Sequence, residues 1–304
     1  METVRHLDLE FHVQRHGSKS GPDLVLLHGF LGSGRQFVHL FPELSKVVNP
    51  VTIDIILSHP DPDARLDVST LVEGLQKALD RISAGKPAPP WLLGYSMGGR
   101  LALSWAVRHP DNISGLILES TTAGIVDPKQ RALRRKADDT RAQHILRNFS
   151  EFLEEWEKNP LFRKPDASDG TGVAAKSGIT GKTVAASEIH HNKHSEHHAR
   201  LAAIQRSQDP EVMARWLSDF GTGSMPPLWD ELHHLRKPVL IITGASDPKF
   251  CDLADRMVSP LPNARHETIP NAAHRVHVDN PAGYLSSLMS FLDKSDRHGC
   301  GDTP

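Results

Sequence analysis

Cysteine is scarce in this chain of 304 residues, which holds only Cys251 and Cys300. Two cysteines cannot form the disulfide framework of a small secreted domain, and their scarcity favours a reducing compartment. The N-terminal segment METVRHLDLEFHVQ lacks the apolar stretch of a secretory signal and carries acidic residues early, unlike a transit peptide. The sequence therefore predicts a cytoplasmic protein.

An excess of charge of either sign is also missing. The formal net charge is −2 at pH 7, which gives no reason to expect nucleic acid or an anionic membrane as a partner. No apolar run is long enough to span a bilayer. With 38% hydrophobic and 24% charged residues, the composition predicts a soluble protein with one large domain, or a core with a cap.

Short apolar runs alternate with helical patterns along most of the chain. The apolar runs typical of buried strands are 24–28, 51–56, 91–94 and 113–120, and the same alternation resumes at 238–244 and 264–270. Helical spacing follows at 66–82 and 99–108, and a closing helix is predicted at 283–294. This alternation predicts an α/β fold, with a mostly parallel sheet flanked by helices.

The alternation stops between residues 125 and 235, where the pattern is mostly helical and rich in arginine and tryptophan. We interpret 125–235 as a helical cap inserted into a core formed by 1–124 and 236–295. Within the cap, 164–198 has few large apolar residues and cannot bury enough surface to offset its ordering entropy. A mobile insertion is therefore predicted there, and a flexible tail at 296–304.

One pentapeptide carries a chemical signal, Gly94-Tyr95-Ser96-Met97-Gly98. It fits the G-x-S-x-G pattern, in which a tight strand-to-helix turn projects the serine hydroxyl above the sheet. An apolar strand precedes it and a helix follows, which is the context that the motif requires. Ser96 is the predicted reactive hydroxyl, and the N–H of Met97 is suited to stabilise negative charge.

A reactive serine needs a histidine, and the histidine needs an orienting acid. Asp247 and His274 each follow a predicted strand, so that both can reach Ser96 from the same edge of the sheet. Asp247 could instead only cap the next helix, and His277 is a close competitor of His274. After another strand, Phe30 could share an oxyanion hole with Met97.

These residues resemble the α/β-hydrolase superfamily across nearly the whole chain. Within it, the sequence is most similar to the 2-succinyl-6-hydroxy-2,4-cyclohexadiene-1-carboxylate (SHCHC) synthases of menaquinone and phylloquinone biosynthesis. The segments that carry this resemblance are LLHGFLGSGRQF, GYSMGGRLAL, WEKNPLF, DFGTGSMPPLWDEL, ASDPKF and AAHRVHVDNPAGY. Arg100, WEKNPLF and the PPLW segment are absent from the general hydrolase pattern.

The resemblance implies a lyase on the α/β-hydrolase fold, without a metal or organic cofactor. In that family the triad serine acts as a base next to the succinyl ketone, and pyruvate leaves from the enolpyruvyl ether. Ser96, Asp247 and His274 match the triad. The small-molecule substrate is a polycarboxylate, and no macromolecular partner is implied.

Arginine forks are the side chains best matched to carboxylates. Arg100 lies one helical turn after Ser96, which places it near the hydroxyl. The residues that match carboxylate-binding or pocket positions of the family are Arg134, Arg206, Tyr95 and Trp156, with Lys249 as a further contact. For Arg131 and Arg135 a solvated helix face is the preferred interpretation.

The sequence departs from the family pattern in two places. The loop at 55–63 lacks the usual Gly-His-Gly turn and has His59 before Pro60. The insertion at 164–198 contains His190, His194 and His198, whose i, i+4 spacing could bind a metal weakly. A solvated histidine cluster is the preferred interpretation, and no metal is assigned.

Two other functions use the same residues. A serine hydrolase of esters or of carbon–carbon bonds would need the same triad and oxyanion hole, and burst kinetics would indicate it. A ligand receptor with negligible turnover would keep the fold, and a ligand that stabilises the protein without being consumed would indicate it.

Overall fold

The backbone is organised around one sheet, with its helices packed on both faces. The computed structural model describes residues 1–17, 21–57, 66–163 and 183–298, with the backbone alone at 183–194 and 294–298. The strands are β1 (Glu2–His6), β2 (Leu9–Arg15), β3 (Asp23–Leu27), β4 (Asn49–Leu57), β5 (Trp91–Tyr95), β6 (Gly115–Glu119), β7 (Val239–Gly244) and β8 (Ala264–Ile269).

The sheet has the strand order β1-β2-β4-β3-β5-β6-β7-β8 in the described residues. The β1–β2 and β2–β4 pairs are antiparallel, and β4, β3, β5, β6, β7 and β8 pair in parallel. The predicted α/β class with a mostly parallel sheet is confirmed. The carboxyl ends of the parallel strands share one edge, where ligands bind in open α/β sheets.

The central strands are buried on both faces, which explains their continuous apolar runs. In β3, Val25 and Leu27 enter one hydrophobic cluster, whereas Leu24 and Leu26 enter the cluster on the opposite face. The edge strand β1 has an alternating pattern of half-buried and exposed residues instead. Hydrophobic packing on both faces therefore holds the central strands in place.

The helices cover the two faces and the carboxyl edge. The α-helices are α1 (Phe41–Leu44), α2 (Val68–Ser83), α3 (Met97–Ala106), α4 (Pro128–Arg147), α5 (Phe149–Glu157), α6 (Thr183–Arg206), α7 (Pro210–Phe220), α8 (Pro248–Val258), α9 (Val276–Asp279) and α10 (Pro281–His298). Short 3₁₀ helices cover Gly34–Leu40, Pro160–Phe162 and Leu232–His234. An aspartate side chain caps the N-terminus of α2, α4, α7 and α8, which satisfies amide groups that the helix leaves free.

The connection from β6 to β7 carries α4, α5, α6 and α7, in the region for which the sequence predicts a cap. Of the insertion predicted at 164–198, residues 164–182 lie outside the described residues, and the remainder is the first part of α6. Of the tail predicted at 296–304, residues 299–304 lie outside them and 296–298 end α10. Of the unusual loop at 55–63, residues 58–63 also lie outside the described residues, and 55–57 belong to β4.

None of the helices in the described part of the chain combines the length and apolar character that a bilayer-spanning helix needs.

Candidate active site

The sharp turn after β5 depends on glycine and on a strained serine backbone. Ser96 has φ 51° and ψ −107°, in a region that side-chain-bearing residues rarely occupy. A Cβ atom on Gly94 would lie 2.5 Å from the Gly98 carbonyl oxygen, and one on Gly98 would lie 2.4 Å from the carbonyl oxygens of Leu27 and His28. Only glycine lets strand and helix approach this closely, and the hydroxyl is thereby held above the edge of the sheet.

Ser96 lies at one end of a hydrogen-bonded chain of three side chains. Its Oγ is 3.1 Å from Nε2 of His274, and Nδ1 of His274 is 2.7 Å from Oδ2 of Asp247. Asp247 is 1% exposed and His274 4%. The buried carboxylate fixes the orientation of the imidazole, so that Nε2 can take a proton from Ser96.

Asp247 contacts both the imidazole and the next helix. While Oδ2 contacts His274, Oδ1 accepts a hydrogen bond of 3.3 Å from the Phe250 amide at the start of α8. The helix cap thus holds the same carboxylate that orients the imidazole.

His277 has a different partner. Its Nδ1 is 2.7 Å from Oε1 of Glu119, which also accepts a hydrogen bond from the His277 amide. Its Nε2 is 3.2 Å from the Gln36 amide nitrogen. Both His277 and Glu119 are fully buried. Of the two candidate histidines, the geometry therefore favours His274 as the partner of Ser96.

Phe30 and Met97 both line the cleft beside Ser96. Met97 is the first residue of α3, so that its N–H has no carbonyl partner within the helix. Phe30 lies in the turn after β3, and its ring contacts Trp156 edge-on, with centroids 5.4 Å apart. Both residues thus lie beside Ser96, and the oxyanion hole formed by their amides stays a prediction.

A cleft of about 940 Å³, open to solvent, lies above Ser96. The core contributes Tyr95, Arg100, Lys249 and His274 to its walls, and the region between β6 and β7 contributes Arg134, Trp156, Leu201 and Gln205. The catalytic edge and the predicted cap thus enclose one space between them.

Positive charge dominates one wall of this cleft. Arg100 is buried, and its Nη1 donates to the Phe220 carbonyl at 3.0 Å and contacts the Met225 sulfur at 2.9 Å. Burial, assisted by the charge of Arg134, lowers the pKa of Arg100 to about 9. Burial and Arg134 also lower the pKa of Lys249. Three cationic side chains thus lie together on this wall, which favours an anionic ligand.

Asp138 fixes the orientation of Arg134. Both carboxylate oxygens of Asp138 accept from the Arg134 Nε at 2.9 Å, and Arg141 donates to Oδ1 at 3.1 Å. Because Nε is engaged, the two terminal nitrogens of Arg134 remain suited to hold a carboxylate.

The prediction for Arg206 is not matched by the geometry. Arg206 is exposed, and the neighbouring residue Gln205 lines the cleft together with Leu201. Residues i and i+4 share one helix face, and the next residue turns away by about 100°. The phase of α6 therefore directs Arg206 away from the cleft.

Arg275 is a cleft residue that the sequence analysis missed. It follows His274, lines the cleft, and donates two hydrogen bonds to Glu157, at 2.8 and 2.7 Å. Its guanidinium lies 3.7 Å from the centre of the Phe162 ring. The signal was its position beside the predicted histidine, together with an acid in the WEKNPLF segment.

One group of potential metal ligands occurs among the described side chains, away from the cleft. His144, Glu151 and Glu155 bring one ligand atom each within 4.8 Å of the others. The two glutamates are exposed, and such groups are common without a metal. The sequence analysis also considered His190, His194 and His198 as weak metal ligands. The side chains of His190 and His194 lie outside the described residues, and Nε2 of His198 lies 3.3 Å from Oδ1 of Asp279.

Comparison with known proteins shows which family the chain matches. The Alpha/beta hydrolase family matches residues 24–286. The chain is 31% identical to a putative SHCHC synthase of Bacillus subtilis, over 93% of this chain and 95% of the relative. It is 28% identical to the SHCHC synthase of Citrobacter koseri, over 92% and 97%. The solved structure of MenH from S. aureus is 30% identical, with a TM-score of 0.76, over 94% of this chain and 99% of that one.

Proposed function

Because the chain belongs to the alpha/beta hydrolase family, we propose that it applies the serine chemistry of that family to an elimination. The proposed reaction converts 2-succinyl-5-enolpyruvyl-6-hydroxy-3-cyclohexene-1-carboxylate into SHCHC and pyruvate, in menaquinone or phylloquinone biosynthesis. The names of its relatives support this assignment. A small-molecule substrate and a cysteine-poor chain fit a cytoplasmic enzyme.

One observation carries the proposal, the cluster of cationic side chains beside the Ser96–His274 pair. The proposed substrate has three carboxylates, on the ring, on the succinyl chain and on the enolpyruvyl group. Arg100, Arg134 and Lys249 line the cleft, and Arg100 has a carbonyl and a thioether as its hydrogen-bond acceptors. A neutral ester would leave Arg100 buried with neutral acceptors alone, at a cost in desolvation.

Proton removal begins the reaction. The ring carbon next to the succinyl ketone loses its proton to Ser96, whose own proton passes to Nε2 of His274. Asp247 stabilises the resulting imidazolium. The ketone oxygen gains charge as the enolate forms, and the Met97 and Phe30 amides stabilise that charge.

Elimination follows from the enolate. Its electron pair shifts through the ring double bond, a second double bond forms, and the bond from the ring to the enolpyruvyl oxygen breaks. The departing enolpyruvate takes a proton and becomes pyruvate, while the ring becomes the cyclohexadiene. His274 returns the proton, so that atoms and charge balance without an oxidant or a second substrate.

A serine hydrolase is the second candidate, and the 3.1 Å contact between Ser96 Oγ and His274 Nε2 favours it. The same contact would let Ser96 attack an acyl carbon and form an acyl-enzyme. A burst of product from an activated ester, equal to the enzyme concentration, would support this function. A lyase without acyl chemistry gives no burst.

Pyruvate release provides the direct test. The substrate is generated in situ by the preceding enzyme, and spontaneous elimination is subtracted. We expect Ser96→Ala to lower kcat by at least about 100-fold, because the base is lost, and Arg100→Ala to lower kcat/KM by about 10- to 100-fold, because a charged hydrogen bond to the substrate is lost. A wild-type rate no higher than background would overturn the proposal.

A further inference from the structure

An ion pair joins the histidine-bearing loop to the helical region opposite it. Arg275 follows His274 in the loop after β8, and its side chain is only 5% exposed. Its two terminal nitrogens lie 2.8 and 2.7 Å from the two carboxylate oxygens of Glu157, the last residue of α5. Such a bidentate pair constrains both distance and direction between the two segments.

Further contacts join the same segments. The His274 amide donates to the Leu161 carbonyl at 3.1 Å. Gln205, from α6, donates to Oε1 of Glu157 at 2.9 Å. The rings of Phe162 and His274 pack edge-on, with centroids 5.9 Å apart. The backbone and the ring of His274 therefore both contact the segment that runs from Glu157 to Phe162.

Charge strengthens this connection. Burial by itself would lower the pKa of Arg275, but hydrogen bonds to Glu157 raise it above its ordinary value. Burial works in the opposite direction on Glu157, and the hydrogen bonds from Arg275 lower its pKa overall. Burial raises the pKa of Tyr95, the residue before Ser96, and the charge of Arg275 opposes this shift. Both partners of the Arg275–Glu157 pair thus stay ionised.

We propose that Arg275 is a positioning residue that, through Glu157, holds His274 in place beside Ser96. Both terminal nitrogens of Arg275 are engaged by Glu157, so that they are not free to hold a substrate carboxylate. Arg275 therefore acts on the reaction through its neighbours. The kinetic part of this inference rests on the proposed lyase function.

The test uses three changes of the pair and one control. Arg275→Met removes the charge and both hydrogen bonds but keeps a side chain of similar length. Arg275→Lys keeps the charge. The double variant Glu157→Arg with Arg275→Glu restores the ion pair with its two charges exchanged. Arg15→Met is the control, because Arg15 also pairs with a buried aspartate, Asp23, at 3.0 Å. That pair lies at the start of β3, at the end of the strand opposite to the site.

Two measurements are made on each full-length variant, after a thermal melt has established that it is folded. The first is kcat and KM for pyruvate release. The second is hydrogen exchange of the His274 amide without ligand, which needs no turnover. We expect Arg275→Met to lower kcat by about 10- to 100-fold with KM changed less than about threefold, since small displacements of catalytic groups have effects of this size.

Exchange of the His274 amide should become at least about tenfold faster in Arg275→Met and stay unchanged in Arg15→Met. Arg275→Lys and the reversed pair should recover part of kcat. A kcat within twofold of wild type with unchanged exchange would overturn the inference, and so would a rise in KM alone, which would make Arg275 a substrate contact. If the wild type releases no pyruvate, the proposed function fails, and amide exchange still decides the role of Arg275.

Discussion

Asp138 is a single buried carboxylate that holds two arginines at the edge of the cleft. It is 1% exposed and contacts Arg134 and Arg141 on its own helix, at i−4 and i+3. The sequence analysis identified Arg134 as a carboxylate-binding candidate. It did not identify the acid that orients it, because an aspartate in a charged helix has the same pattern whether it is buried or solvated.

We expect Asp138→Asn to weaken substrate binding more than turnover. The amide cannot hold Arg134 Nε as a charged acceptor does, and two arginines lose their counter-ion. KM for pyruvate release should rise about tenfold, which corresponds to a lost charged hydrogen bond, while kcat changes less.

Asp139→Asn is the matched control, since Asp139 is the next residue of the same helix. The KM of the Asp139→Asn variant should equal that of the wild type. Equal KM values for Asp138→Asn and the wild type would contradict the role assigned to Asp138.

At the scale of elements, the turn from β5 into α3 has almost no steric freedom. Gly94 and Gly98 each face backbone atoms at 2.4–2.6 Å from a virtual Cβ. This close approach is also what places Ser96 beside the turn after β3. The backbone geometry that lets β5 and α3 pack closely therefore also positions the Ser96 hydroxyl.

We expect Gly98→Ala to lower the free energy of unfolding by about 3 kcal/mol, because the methyl group overlaps two carbonyl oxygens that cannot move independently of β3. Pyruvate release by the folded fraction should also fall, since α3 must shift away from the loop after β3. Urea denaturation and steady-state assays measure the two effects.

Gly85→Ala is the control that separates the stability cost of backbone strain from that of steric overlap. Gly85 has φ +73° and no heavy atom within 4 Å of a virtual Cβ, so that its substitution should cost only about 1 kcal/mol. Activity should not change. Equal losses of stability in the two variants would show that overlap at Gly98 is unimportant.

The whole molecule contains a half-buried histidine, His39, that couples folding to pH. Nε2 of His39 donates to the His277 carbonyl at 2.6 Å, and its ring stacks on His197 at 4.1 Å. Burial, opposed in part by this hydrogen bond, lowers the pKa of His39 from 6.5 to about 3. The folded protein therefore keeps His39 neutral at pH values where the unfolded chain protonates it.

Stability should consequently fall as the pH drops below 6.5. Between pH 6.5 and 3 the unfolded state binds more protons than the folded state, so that acid favours unfolding. From pH 7 to pH 5, His39 alone should remove about 2 kcal/mol from the free energy of unfolding. Urea denaturation at the two pH values measures this loss.

His39→Gln should reduce the loss between pH 7 and pH 5 by about that amount, because glutamine can donate the same hydrogen bond without titrating. His234→Gln, at an exposed position, is the control and should keep the wild-type pH dependence. An unchanged dependence in His39→Gln would contradict this assignment.

The sequence by itself determined the sheet and the turn at Ser96. Apolar runs predicted β3 to β7 because burial on both faces leaves a local pattern, and the Gly94–Gly98 motif lies where strand and helix meet. The order of serine, aspartate and histidine indicated the triad, since parallel strands end at one edge of the sheet.

Only the tertiary structure decided which side chains meet across that edge. It directs Gln205 rather than Arg206 into the cleft, pairs His277 with Glu119, and brings Arg275 to Glu157. These outcomes depend on helix phase and on contacts between residues more than 100 positions apart. A local pattern records whether a position is apolar, but a polar side chain takes its role from the partner that folding brings to it.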